Sequence, residues 1–447
     1  MSYNNILLIA LYFIAVFAIG LWTKKRESSE DYVIAGRKIG FLQSSASMFA
    51  VIGGFILVGQ AALAFELGFG AMWFWVGAGL GLVLLGFNAK KVKEISDDKK
   101  YLTISEYIQE KFGNKNAKIS SIVLFVAFFS LLVGQFIAGG SIFAPLLGIS
   151  YPLAVIILGV GTLLYLLLGG FKAVIKTDFL QAIIMLFIFL SLVLNINLGS
   201  EAVVQFDLMS VGFPMAIAFV VVGVFVIFGS ADIWQRIYAT KNIKSIKKAS
   251  YLSAIGFVSF GAMVSYVGIV AKSNFPDIAS NEAFFYGIFN LLPPQLLGLA
   301  VVVVLAAIMS TIDTELFYLS SSLSRDFSKN KKGEDSNELV KDIRKFILIL
   351  AVIAMVIAIF VSSILQLLFA LISLTLIVSP MILFSLFWNL KRKAVFLGMV
   401  GGLIAFFVLV FSGNLNSDNM IATLIATVIF FVLGQIFLKK EVLLERS

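Results

Sequence analysis

The chain has 447 residues, of which 60% are hydrophobic and 13% charged, with 34 Lys and Arg against 25 Asp and Glu. Soluble domains run near half apolar and a quarter charged, so this balance excludes a soluble globular protein and leaves an integral membrane protein. Cysteine and histidine are both absent, which excludes disulfides, thiol chemistry, Ser-His-Asp catalysis and imidazole metal ligation; any ion handled here must be met by oxygen.

Apolar stretches recur at about residues 4–22, 41–66, 70–89, 119–147, 151–168, 177–198, 213–235, 251–271, 294–324, 343–363, 365–389, 394–412 and 419–438. Each is long enough to cross a bilayer as a helix, which predicts an all-α protein with 13 transmembrane helices and no room for a separate soluble domain. The first stretch lacks a basic leader and is followed by Lys24, Lys25 and Arg26, so it reads as a membrane anchor. With thirteen spans and the N-terminus outside, 33 of the 34 basic residues fall in cytoplasmic segments and only Lys272 outside. This bias sets both the count and the orientation, with a cytoplasmic C-terminus in a multi-pass protein of the plasma membrane. The net charge of +9 is therefore a topology signal, not a nucleic-acid footprint; the lipid bilayer is the expected partner, and no obligate protein partner is evident. The mixed-charge loop SRDFSKNKKGEDSNELVKDIRK reads as a cytoplasmic tether, and NFPDIASNEAFFYGIFNLLPPQ as an interfacial segment on the outer side.

Ionisable groups inside the membrane are costly, so each is a functional candidate. The ninth span carries AAIMSTIDTELFYLSSSLSRDF, in which Ala307, Ser310, Thr311 and Thr314 share one stripe at about 100° per residue, flanked by Asp313 and Glu315. A strip of hydroxyl, carbonyl and carboxylate oxygens suits a hard cation such as sodium, although Ser and Thr also serve as helix-packing residues. Asp178 opens the sixth span in GGFKAVIKTDFLQ, close enough to Lys172 and Lys176 to be a simple surface pair. Gly53 and Gly54, midway along the second span, permit an unwound segment whose carbonyls are freed for a cation, or close helix packing.

At these stretches the chain resembles the sodium:solute symporter family. The resemblance rests on DYVIAGRKIG, VIGGFILVGQAALAFELG, GGFKAVIKTDFLQ, WQRIYATKN and AAIMSTIDTELFYLSSSLSRDF, in that order along the chain. It implies a LeuT-type fold, a single transporter domain of two inverted five-helix repeats at about 41–198 and 213–389, with one N-terminal and two C-terminal peripheral helices. It implies a broken second span around Ile52 to Gly54 and a seventh span broken somewhere in VVVGVFVIFGS, near Gly223 to Phe225. The family's shared sodium site carries over onto the carbonyls of Phe49, Ile52 and Ala307 and the hydroxyls of Ser310 and Thr311. A second cation site falls on Asp178, Asp313 and Thr314, unless the ammonium of Lys176 replaces that ion or a proton does. Gly53, Gly54, Gln60, Trp73, Trp75, Gln135, Phe225 and Phe228 are the candidates to face a solute.

The resemblance thus implies a sodium-coupled symporter importing a small organic solute by alternating access, with Na+ as the coupling ion and no enzymatic activity. Proton coupling on the same fold is one rival. A non-transporting membrane sensor is the other, although EVLLERS at the C-terminal end offers no output module.

Overall fold

The computed structural model describes residues 3–23, 29–194, 206–292, 297–327, 337–361 and 363–438. Among them all regular structure is helical, and the one β contact is an isolated bridge between Ile39 and Thr240. Within hydrocarbon no water satisfies backbone groups, so apolar stretches of this length close their own hydrogen bonds as helices. After α1 (Tyr3–Thr23) and the short α2 (Ser29–Ile34), the chain forms α3 (Phe41–Ala50), α4 (Gly54–Leu67), α5 (Trp73–Phe87), α6 (Ala89–Asp98) and α7 (Ile104–Phe112). Then come α8 (Asn114–Leu147), α9 (Tyr151–Leu194), α10 (Gly212–Gly229), α11 (Ala231–Ala239), α12 (Ile243–Asn274) and α13 (Ala283–Leu291). The chain continues through α14 (Leu297–Phe327), α15 (Asn337–Phe360), α16 (Ile364–Ser385), α17 (Arg392–Phe411) and α18 (Ile421–Phe437).

Nine of the described helices are long and apolar enough to cross a membrane, ten if α3 and α4 are one bent span, and two shorter apolar helices lie at residues 7–23 and 421–437. The count differs from thirteen partly because α9 runs through both the fifth and sixth predicted spans. Its 44 residues would reach about 66 Å if straight, twice the hydrocarbon thickness. Gly170 interrupts it at φ 61° and ψ −154°, where a Cβ would stand 2.4 Å from the Tyr32 ring. Only glycine supplies that backbone and that clearance, so α9 folds as two legs meeting at a hinge.

The seventh span is broken at the last residue of the expected stretch VVVGVFVIFGS, not near Gly223 to Phe225. Its helical ladder continues through Gly223 and Phe225 and stops at Ser230, whose ψ of 91° separates α10 from α11. The motif WQRIYATKN is therefore not a loop after the span: most of it forms α11, in which all nine residues are buried. The segment predicted to lie on the outer surface contains α13, which packs on α12 and α4. Part of the loop after α14 and the tail EVLLERS lie outside the described residues.

The polarity is inverted relative to a soluble protein. Leu7, Ile14, Phe407, Phe411 and Ile436 are exposed on the peripheral helices, whereas Ser47, Gln135, Asp178, Ser310, Thr311 and Asp313 are fully buried. At the centre, α14 is almost wholly enclosed, packed against α8, α9, α15 and the inner ends of both broken spans. Its polar strip therefore faces protein, where ligands and partners can compensate the cost of burial.

Candidate functional site

The site begins where the second span stops being a helix. Phe49 O accepts from Ile52 N at 3.1 Å and Val51 O from Gly53 N at 2.8 Å, so the chain tightens into turns and the α-helical ladder lapses for three residues. The two halves meet at 55°. Against this break stands the hydroxyl pair of α14. Ser310 Oγ lies 2.9 Å from Ala50 O and 3.0 Å from Ala307 O, and Thr311 Oγ1 donates to Ala307 O at 3.2 Å. A Cβ on Gly53 would stand 2.0 Å from Thr311 Oγ1 and 2.6 Å from Gln135 Nε2.

Thus Ala307, Ser310 and Thr311 come together at the break that contains Ile52 and follows Phe49. Ala50 O, which sequence reasoning passed over, is the break carbonyl that Ser310 reaches. Each hydroxyl keeps acceptor lone pairs beyond the proton it donates, so the same oxygens that now bond one another can turn toward a cation. Glycine is required at 53 because the approach is too close for any side chain. Gly53→Ala is expected to push α4 from α14 and to lower the melting temperature of the protein in detergent, while the variant still inserts; thermal unfolding and membrane abundance measured together check this.

Of the solute candidates, Gly53, Gly54 and Gln135 gather here. Gln135 Oε1 accepts from Phe55 N at 3.0 Å, and its amide nitrogen has no hydrogen-bond partner among the described residues. The others lie elsewhere. Gln60 is two turns along α4 and donates to Ser265 Oγ at 2.8 Å. Trp73 sits at the start of α5, bonded to Leu208 O at 2.8 Å. Trp75 packs on Phe257 at 5.7 Å, Phe225 faces Phe384 at 6.1 Å, and the Phe228 carbonyl is taken by Trp234 Nε1 at 2.9 Å. Aromatic residues on helices without an alignment carry no signal that distinguishes packing from contact.

The second proposed cation position is filled by a side chain. Arg236 on α11 is 1% exposed. Its Nη2 donates to Asp178 Oδ2 at 3.0 Å and to Thr314 Oγ1 at 2.8 Å, its Nε to Ser47 Oγ at 2.6 Å, and its Nη1 to Asp232 O at 3.1 Å. Ser47 Oγ also bonds Asp178. Asp313 turns instead to Tyr165 OH at 2.7 Å and Thr177 Oγ1 at 3.3 Å. Lys176, the expected substitute for the ion, lies with its Nζ 3.2 Å from the centre of the Trp22 ring. The charge was foreseen but assigned to the wrong residue, because Arg236 reads as a loop charge until α11 is known to be a buried half-helix.

The two ends of the molecule differ. One holds a cavity of about 550 Å³ lined by Val58, Ala138, Ser141, Phe285, Tyr286 and Ile364, among others. Val58 and Ala138 lie one turn from Phe55 and Gln135, so the cavity sits one helical turn from the break. At the lysine-rich end α11 and the residues just after it are tied to α2, to the stretch that leads into α3 and to α3 itself. Ile39 N donates to Ala239 O at 3.1 Å, Lys241 N to Ile39 O at 2.9 Å, and Gln235 Nε2 to Val33 O at 3.0 Å. Ser44 and Thr240 share a hydroxyl bond at 2.7 Å.

Two interrupted helices around a hydroxyl-bearing third, reached from one side and barred from the other, define a secondary transporter that couples a solute to an ion. The profile of the sodium:solute symporter family matches residues 32–402, and the chain belongs to that family. The sodium/proline symporter of Staphylococcus aureus is 27% identical over 442 residues, spanning 91% of this chain and 86% of that one. Among solved structures, a substrate-bound, outward-open Na+-coupled sialic acid symporter superposes with a TM-score of 0.81 at 18% identity over 97% of both chains. A nucleobase-cation-symport-1 family transporter in a closed conformation does so at 0.60 and 15%, over 90% of this chain and 93% of its own. The protein is a sodium-coupled symporter of a small organic solute, not an enzyme, and Na+ is its coupling ion.

Proposed function

We propose that one Na+ binds between the carbonyls of Phe49, Ile52 and Ala307 and the hydroxyls of Ser310 and Thr311, and that it drives uptake of a small zwitterion of the amino-acid class, with L-proline the first to test. The observation that carries the reading is Ser310 reaching a carbonyl of the broken helix from a different part of the chain. Sodium in that place ties α3 and α4 to α14 and holds the vestibule in a form that accepts solute. The solute's carboxylate meets the unpaired amide of Gln135 at the N-terminal end of α4, where the helix dipole favours negative charge. Proline is supported by the name of the Staphylococcus relative and by a floor of glycines and one amide that leaves little room for a bulky polar ligand.

Arg236 supports a single coupling ion. A guanidinium between Asp178 and Thr314 supplies the positive charge that a second cation would bring, and it cannot leave. The layout of thirteen spans, with α9 counted as two legs and the repeats at about 41–198 and 213–389, belongs to the same proposal, as does an outer N-terminus and a cytoplasmic C-terminus. The cycle then runs from the vestibule side, through closure over sodium and solute, to separation of α3 and α11 at the lysine-rich end. The membrane potential adds about 2.3 kcal/mol per charge per 100 mV to the sodium gradient.

Proteoliposomes given radiolabelled L-proline test this directly. Uptake is expected with an inward sodium gradient and to vanish when choline replaces sodium at fixed pH. Uptake that persists in choline and follows a proton gradient would favour the rival coupling. Sodium-dependent uptake of another solute, with proline inert, would reject only the solute.

A further inference from the structure

Two neighbouring spaces toward the lysine-rich end lie outside the vestibule and the hydroxyl pair of α14. Between α3, the second leg of α9 and α12 runs a crevice of about 340 Å³, walled by Ala46, Phe49, Ala182, Leu186, Gly256 and Phe260 among others. Its rim residues Leu42, Ile183 and Leu252 are about half exposed. These are faces of membrane-spanning helices, so the crevice opens into hydrocarbon rather than water. Of its two serines, Ser45 is already bonded to Ser253 and Ser259 is exposed at the rim, which leaves an apolar slot suited to a hydrocarbon chain.

At the lysine-rich end of the same helices lies a hollow of about 480 Å³ with opposite chemistry. Its lining includes Lys38, Lys172, Lys176, Gln43, Trp22 and one acid, Asp31. The two spaces follow one face of α9. Lys172, Ile175 and Lys176 bound the hollow, Phe179, Ala182, Ile183 and Leu186 the crevice, and their spacing of three and four residues keeps them on one stripe. Lys38 and Lys172 are exposed, so their ammonium groups are available to an anion. Lys248 sits at the corresponding end of the third wall, over the ring of Phe41.

We propose that this face holds an anionic phospholipid, with its phosphate on Lys38, Lys172 and Lys176 and one acyl chain in the crevice beside Phe49. Three cations above an apolar slot match a charged headgroup above a hydrocarbon tail. A free phosphate satisfies only the hollow, and a zwitterionic lipid fills the crevice but brings no net negative charge to the three cations. The site touches the transport machinery at one point. Phe49 lies in the last turn of α3, packed on Phe260 at 5.2 Å, one residue before the turn that α14 contacts. A chain lodged behind it braces α3 against the outward swing that opens this end.

Native mass spectrometry of the full-length protein in detergent tests the site without any transported solute. The probes are phosphatidylglycerol, phosphatidylcholine and glycerol 3-phosphate. Phosphatidylglycerol is expected to stay bound, phosphatidylcholine to be retained far less, and glycerol 3-phosphate not at all at matched concentration. Each lysine near a headgroup contributes about fivefold, so the triple variant K38Q/K172Q/K176Q should weaken phosphatidylglycerol binding roughly a hundredfold. The control K99Q/K111Q/K118Q, which removes the same charge from exposed positions on the same side, should leave it unchanged. Ala46→Trp fills the crevice and should lower retention of both lipids, reading the acyl half on its own. Equal retention of the two lipids, full binding by the lysine triple variant, or glycerol phosphate binding as well as phosphatidylglycerol would each overturn the proposal. None of these outcomes depends on sodium or proline, so the test stands apart from the transport assay.

Discussion

Replacing Ser310 and Thr311 together by alanine is expected to abolish sodium-driven uptake while the protein still folds and inserts. Both side chains are fully buried, and both bond Ala307 O. Removing two hydroxyls from helix α14 costs little packing volume, so the fold should survive. At the proposed site the ion loses two of five oxygens. A hydrogen bond or ligand contact to a charged group is worth about 1.5–3 kcal/mol, so each single variant should raise the sodium concentration for half-maximal uptake roughly ten- to a hundredfold. Thr311→Ser and Ser310→Thr keep an oxygen at each position and should recover most of that loss, which separates ligation from packing. Uptake measured against sodium concentration at fixed proline checks the series. An unaltered sodium dependence in both alanine variants would remove the site from this pair of residues.

The break and the hydroxyl pair were legible because each has a local signature. Gly53 and Gly54 interrupt an otherwise apolar span, and Ser310 and Thr311 are the first polar side chains of a helix that is wholly apolar from Leu297 to Met309. Pairing them depended on resemblance, since nothing in residue spacing tells which of many helices lie side by side. The break at Ser230 was legible only to within the stretch that ends there. The stretch VVVGVFVIFGS offers Gly223 as the more obvious weak point, but Gly223 is needed for close packing instead: a Cβ there would stand 2.2 Å from Phe74 O. The chain breaks later, where Ser230 Oγ bonds Val226 O at 2.9 Å and Ser230 O accepts from Ile233 N and Trp234 N. Arg236 was missed for the same reason. An arginine followed by Lys241, Lys244 and Lys247 reads as part of a basic loop, and only the tertiary arrangement shows that its helix turns back into the protein. The error fell on the residue whose environment is least determined by its neighbours in sequence.

Arg236 carries the second large effect, and it is expected to appear as stability before it appears as transport. The guanidinium and the Asp178 carboxylate have fully buried side chains, so neither can be solvated when its partner is removed. Cutting one member of such a pair costs about 3–5 kcal/mol, because the other charge remains buried without compensation. Arg236→Met should therefore lower the melting temperature in detergent sharply. Asp178→Asn in the same chain should restore much of it, since the carboxylate that needed the arginine is gone. Lys176→Gln should shift stability by less than about 1 kcal/mol, as expected for a side chain that packs on Trp22 outside the pair. If Arg236 stands where a second cation would bind, the vacancy in Arg236→Gln should be filled by sodium, and millimolar to molar NaCl should raise the melting temperature of this variant by more than it raises that of the wild type, by mass action. Choline chloride at equal ionic strength should not. The idea fails if Arg236→Met is as stable as the wild type, or if choline protects Arg236→Gln as well as sodium does. The wild type should bind sodium with a Hill coefficient of one, because the arginine already holds the other place.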